Sequence, residues 1–166
     1  MTAQISSPID VQTEIQKALN EFFKALRRLR ELSITPNSKD ITCQLGEWLV
    51  EQLYDGQRST NGIQRDWDVR LKGGSRIQVK SHAKAPTTNA RWSQINYDLH
   101  AQVDELVIIV FDQKYQIKEF YKAPWHAVLP RIRRHADKDR IFWDDLKEFN
   151  LALNDVPNQD VLVSFR

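Results

Sequence analysis

The sequence predicts a mixed α/β fold: a mixed central sheet flanked by helices, with one extra helix at the N-terminal side. Three observations point to it. Ile15, Leu19, Phe22, Leu26 and Leu29 recur at helical spacing. Two alternating stretches, Trp67 to Leu71 and Arg76 to Lys80, flank Lys72-Gly73-Gly74 as the arms of a hairpin would. Leu106 to Phe111 is an unbroken apolar run, as in a central strand covered on both faces.

The first helix is expected over residues 9–32, ended by Thr35-Pro36-Asn37-Ser38. Lys24, Arg27, Arg28 and Arg30 fall largely outside its stripe and read as a solvated face, with phosphate contact or dimer packing as alternatives. A second helix is expected from about Asp40 to Tyr54, its stripe formed by Leu45, Trp48, Leu49 and Leu53, and closed by Asp55-Gly56. A short strand is expected near 57–60. A helix is expected from about Ser93 to Val103, then the strand at Leu106, then another strand from Tyr115 to Tyr121. Pro124 should open a helix closed by Arg131 to Arg134, starting a helical tail over 124–166.

The hairpin register follows from hydrophobic segregation. A three-residue loop at 72–74 pairs Leu71 with Ser75, Val69 with Ile77 and Asp68 with Gln78. Val69, Leu71, Ile77 and Val79 then share one face, and Asp68, Arg70, Arg76, Gln78 and Lys80 the other. A two-residue loop would mix polar and apolar residues on both faces.

With 166 residues, 41% of them apolar, the chain fits one domain over 1–166 with its own core. Its 24 basic and 22 acidic residues nearly cancel, so net charge says little about partners. A single cysteine, Cys43, makes no internal disulfide and suits a reducing compartment, the cytoplasm; it reads as a buried thiol. Residues 1–10 show no signal-peptide pattern, and no apolar run is long enough to span a bilayer, so no membrane is expected. Nucleophile-elbow and phosphate-loop glycine motifs are missing, and His82, His100, His126 and His135 lack zinc-ligand spacing.

The polar hairpin face places a carboxylate (Asp68), an amide oxygen (Gln78) and an ammonium (Lys80) together, with Glu47 on the helix upstream. Phosphodiester hydrolysis calls for these groups. A hard cation held by oxygen ligands polarises the phosphoryl oxygen and acidifies its water. Asp68, Gln78, the Val79 carbonyl and Glu47 are the candidate metal ligands, with Mg²⁺ or Mn²⁺ as the cofactor. Lys80 would stabilise developing charge and orient or deprotonate the attacking water. Glu51 and Asp66 are the fallbacks for Glu47 and Asp68.

Gly46-Glu47-Trp-Leu-Val-Glu-Gln-Leu53, then Asp68, then Gln78-Val79-Lys80, resembles the PD-(D/E)xK nuclease superfamily, which includes restriction endonucleases and Holliday-junction resolvases. The resemblance covers roughly residues 40–122. It implies a restriction-endonuclease-like α-β-β-β-α-β core, which the predicted element order matches. It also implies a DNA partner, and by analogy a homodimer, since one site cuts one strand. Two departures stand out: Trp67 replaces the usual proline before the aspartate, and Gln78 replaces the usual acid. The glutamine removes one negative charge from the metal site.

From Val69 to Tyr97 there is no acid, where a window of this length should hold about four, while Arg70, Lys72, Arg76, Lys80, Lys84 and Arg91 are all basic. Arg70, Arg76, His82, Lys84 and Arg91 are therefore the candidate nucleic-acid contacts, a chance basic loop being the simpler alternative. Arg131, Arg133, Arg134, Lys138 and Arg140, offset by Asp137 and Asp139, read as a solvated helix end. The expected activity is a Mg²⁺-dependent endodeoxyribonuclease. The alternatives are an inactive nucleic-acid-binding or interaction module on the same fold, or an unrelated α/β interaction protein.

Overall fold

The structure is a computed structural model and describes residues 8–36, 40–59, 66–84, 89–96, 100–135 and 138–166, with only the main chain for 8–12. The expected turn at Asn61-Gly62 and the offsetting Asp137 lie outside the described residues. The chain divides into two compact units, Met1–Ile41 and Thr42–Arg166.

The first unit is built on α1 (Pro8–Glu31). It ends where Ser33 takes a left-handed φ of 56° and the Ile34 amide returns to the Leu29 carbonyl at 2.9 Å. Its ion pairs, Lys17 with Glu14 and Arg28 with Glu31, are exposed i,i+3 pairs of little energetic weight.

The second unit begins with α2 (Ile41–Leu53) and β1 (Gly56–Arg58), joined through Asp55 at a left-handed φ of 50°. The hairpin follows as β2 (Val69–Leu71) and β3 (Arg76–Ala83). Its predicted register holds: Val69 pairs with Ile77 and Arg70 with Arg76. The Leu71 amide reaches the Ser75 carbonyl at 2.8 Å, and Gly74 takes the left-handed position with φ 91°. Next come β4 (Trp92–Ile95), β5 (Glu105–Phe111), β6 (Ile117–Pro124), the one-turn α3 (Trp125–Val128), β7 (Arg133–His135) and β8 (Lys138–Phe142).

Two sheets result. The larger has the order β1-β2-β3-β5-β6, with β3 and β5 parallel and the other neighbours antiparallel. The smaller has the order β4-β8-β7. Alternation along β3 and β5 separates two cores. Leu49, Val50 and Leu53 of α2 pack with Val69, Ile77, Val79, Val107 and Ile109 on one face. On the other, Leu106, Ile108 and Val110 meet Ile95, Ile141, Trp143 and Leu146. The apolar run of β5 is thus covered on both sides, as its composition requires.

The structure corrects six expectations. Residues 92–95 form a strand, and the described residues between 84 and 104 contain no helix. Ser93 and Ile95 point inward with period two because β8 lies alongside, Ser93 opposite Ile141. The helix after Pro124 stops after one turn: Pro130 lacks an amide hydrogen, and a 3-10 turn at Leu129–Arg131 leads into β7. The basic cluster at 131–140 is accordingly a pair of strands with a turn before them rather than a helix end. The expected helical tail is β7, β8 and two 3-10 helices, Trp143–Phe149 and Gln159–Phe165. Cys43 is exposed: it lies two residues before Leu45, about 200° round the helix from the packed stripe. The strand placed at 115–121 also starts later, at Ile117, because the Asp112 carboxylate accepts the Lys114 and Gln116 amides and holds a turn.

Candidate functional site

The site residues are distributed by the pleat of β3. Gln78, Lys80 and His82 share a face with Leu106, Ile108 and Val110 of the parallel neighbour. Ile77, Val79 and Ser81 face α2. At their closest point a Cβ on Gly46 would stand 1.7 Å from Ser81 Oγ, so only glycine lets the helix approach this near. Glu47 therefore sits on α2, over the opposite face of the sheet from Gln78 and Lys80. Glu51, one turn further on, accepts from the Arg58 amide at 3.0 Å and from Arg58 Nε at 2.8 Å. That carboxylate fastens α2 to β1.

Asp68 stands just outside β2. Its amide donates to the Ile77 carbonyl at 2.8 Å, and its Oδ2 accepts the Val79 amide at 2.7 Å. The carboxylate continues the β2–β3 ladder where the strand has ended. This ties Asp68 to the main chain of Val79, one of its proposed fellow ligands. Gln78 is almost fully buried, at 5% exposure. Its Nε2 donates to the Asp66 carbonyl at 3.3 Å, while its Oε1 is buried with no hydrogen-bond donor among the described residues. An unmatched buried acceptor costs about 1–3 kcal/mol, so such atoms are rare without a reason. Lys80, partly buried, has no ion-pair or hydrogen-bond partner among the described residues.

These donors fit a hard cation. A Mg²⁺ site needs a carboxylate or two, further neutral oxygens and water. The Asp68 carboxylate, the orphaned Gln78 Oε1 and the Val79 carbonyl would supply this; Glu47, expected as a fourth ligand, is not brought to them, because α2 packs on the Ile77, Val79 and Ser81 face of β3. No group of three or more His, Cys, Asp or Glu suited to a metal occurs among the described residues. The donor set rests instead on an amide and a main-chain carbonyl.

The basic strip resolves differently in space. Arg76 donates to Asp104 through its amide (2.8 Å) and Nε (3.1 Å), and to Gln102 at 2.8 Å. These bonds hold the Asp104 carboxyl below the usual carboxylate range. Arg91 forks onto Glu119 at 2.7 and 2.9 Å and reaches Asp144 at 3.0 Å, with its guanidinium over Trp143. These contacts raise its already high pKa. The acid-free window is thus partly neutralised by carboxylates from further along the chain. Arg70 and Lys72, which line a surface pocket of about 350 Å³ with Asp55, Gly56 and Gln57, carry no carboxylate partner among the described residues. Neither does Lys84, whose ammonium lies 5.5 Å from the Trp143 ring.

His82 belongs to an internal network. Its Nε2 lies 2.7 Å from Ser93 Oγ, which also accepts from Trp143 Nε1 at 3.0 Å, and its ring lies 5.1 Å from that of Trp143. Burial first, then the charges of Lys84 and Lys80, lower its pKa to about 4. It is neutral at physiological pH, and it takes its place beside the basic groups as a hydrogen-bonding ring rather than a cation. Ser93, Glu119, Tyr121 and Trp143 carry no local signal in the sequence. Their partners lie 11 to 50 residues away, or, for Tyr121, beside Glu119 on the same strand.

In comparison with known proteins, no family model matches the chain, and no curated protein does. Among the described residues, no helix is long and apolar enough to cross a membrane.

Proposed function

We propose that the protein is a Mg²⁺-dependent endodeoxyribonuclease of the PD-(D/E)xK kind, working in the cytoplasm. The observation that carries this reading is the buried Oε1 of Gln78, without a donor among the described residues, on the hairpin that also carries Asp68 and Lys80. An acceptor held dry without a donor is matched to a cation. In the bound state the cation would polarise the phosphoryl oxygen and acidify a water. Asp68 is kept in place for this by the Val79 amide. Lys80, with no carboxylate partner among the described residues, would hold the attacking water and offset the charge that grows on the phosphate. Arg70, Lys72 and Lys84 would contact the flanking backbone, while Arg76 and Arg91 brace the scaffold through their carboxylates.

The test is supercoiled plasmid incubated with Mg²⁺, Mn²⁺ or chelator. Nicking should need the metal and fall at least a hundredfold in Lys80→Ala. Gln78→Glu, which restores an acid, should lower the Mg²⁺ concentration needed. Plasmid left intact with either metal sinks the proposal. A second reading, a binding module without catalysis, is favoured by the amide at position 78 and by the commitment of Asp68 Oδ2 to a main-chain amide. It predicts salt-dependent DNA binding, without cleavage, that Asp68→Ala leaves unchanged.

A further inference from the structure

Five of the six large apolar side chains exposed among the described residues lie on α1 or just beyond it: Ile15, Leu19, Phe22, Phe23 and Leu32, each 43–52% exposed. Monomeric proteins rarely leave so contiguous a stripe in water. The spacing is heptad-like, with Leu19 and Leu26 at a positions and Ile15, Phe22 and Leu29 at d. A helix of 24 residues is about 36 Å long, room for three heptads.

We infer that α1 pairs antiparallel with α1 of a second copy of this chain. Charge selects the orientation. In residues 8–20, Asp10 and Glu14 outweigh Lys17 by one; in residues 21–31, Lys24, Arg27, Arg28 and Arg30 outweigh Glu21 and Glu31 by two. Antiparallel pairing sets the acidic half against the basic half, whereas parallel pairing sets the two basic halves together. Centred between Asn20 and Glu21, it layers Ile15 on Leu26 and Leu19 on Phe22 of the second copy. Ala18 then flanks Ala25, and these small side chains let the helices close. The five exposed side chains, at roughly 100 Å² each, would cover about 1,000 Å² over both copies, the lower bound for a specific interface. A membrane surface is the poorer occupant, since the acidic end of the helix would meet anionic lipid.

Sedimentation of the full chain from 1 to 100 μM, at low and high salt, tests the pairing. The expected species is twice the 19.5 kDa chain mass. Leu19→Glu with Phe22→Glu should weaken association at least a hundredfold and leave the thermal melt of the remaining fold in place. Orientation is read in a Cys43→Ser background: Ile15→Cys should form a disulfide with Leu26→Cys when the two variants are mixed, and neither should link to itself. A monomer at every concentration overturns the inference, whether α1 then folds back on its own chain or floats with phosphatidylserine vesicles. So does a trimer or tetramer, or self-linking by Ile15→Cys.

Discussion

Three polar side chains on one face of β3 meet an apolar surround in different ways. Among the described residues, Gln78 leaves an acceptor unmatched and Lys80 keeps a charge without a carboxylate, while His82 gives up its charge. The last has a measurable consequence. His82 has a pKa of about 4 in the folded protein against 6.5 in a free chain. Above pH 6.5 the ring is neutral in both states and its contribution is fully present. As pH falls from 6.5 to 4, the unfolded chain takes up a proton that the folded chain refuses, and stability drops. The slope is at most about 1.4 kcal/mol per pH unit, and because the ring is partly solvated, a total loss of about 1–2 kcal/mol is expected. Urea unfolding at pH 7.5, 5.5 and 4.5 should show this excess loss relative to His82→Gln. Parallel pH profiles for the two proteins would refute the assignment.

At the scale of elements, α2 and the hairpin show what local sequence carries. The hairpin register was legible because loop length, glycine placement and the alternation of Val69, Leu71, Ile77 and Val79 all act within a dozen residues. Gly46 was legible only as part of a resemblance, since its reason is Ser81, 35 positions on. Alanine there is favoured over glycine in a helix by about 1 kcal/mol, yet its Cβ would lie 1.7 Å from Ser81 Oγ and 2.8 Å from Ser81 Cβ. The clash outweighs the propensity. Gly46→Ala should destabilise by about 1–3 kcal/mol, and Ser81→Gly in the same chain should recover most of it. A Gly46→Ala protein as stable as the parent would show that the helix does not sit this close. β4 failed the local reading for the complementary reason: its four residues become a strand because β8, some 45 positions on, lies alongside. The candidate site was legible as residue types on one hairpin. The ion pairs that neutralise Arg76 and Arg91 were not, because Asp104, Glu119 and Asp144 arrive from elsewhere in the chain.

At the scale of the whole second unit, the C-terminal segment is structural. Val156 and Leu162 enter the core beneath α2, and the Leu151 amide reaches the Phe120 carbonyl at 2.8 Å. Leu162 is fully buried. Leu162→Ala should therefore cost about 2–5 kcal/mol, read as a lower urea midpoint. A loose tail would lose less than about 0.5 kcal/mol, and that result would reject the packing.

Asn158 adds a consequence in time. Its Nδ2 donates to the Leu53 carbonyl at 3.1 Å across 105 residues of chain, covering an end of α2 that is made early in synthesis. A nascent chain can form the hairpin while still on the ribosome, but the packed face of α2 stays incompletely covered until residues 156–165 have emerged. Completion of the core against α2 therefore waits for residues 156–165, and the interval before it is when chaperones would find the most apolar surface to hold.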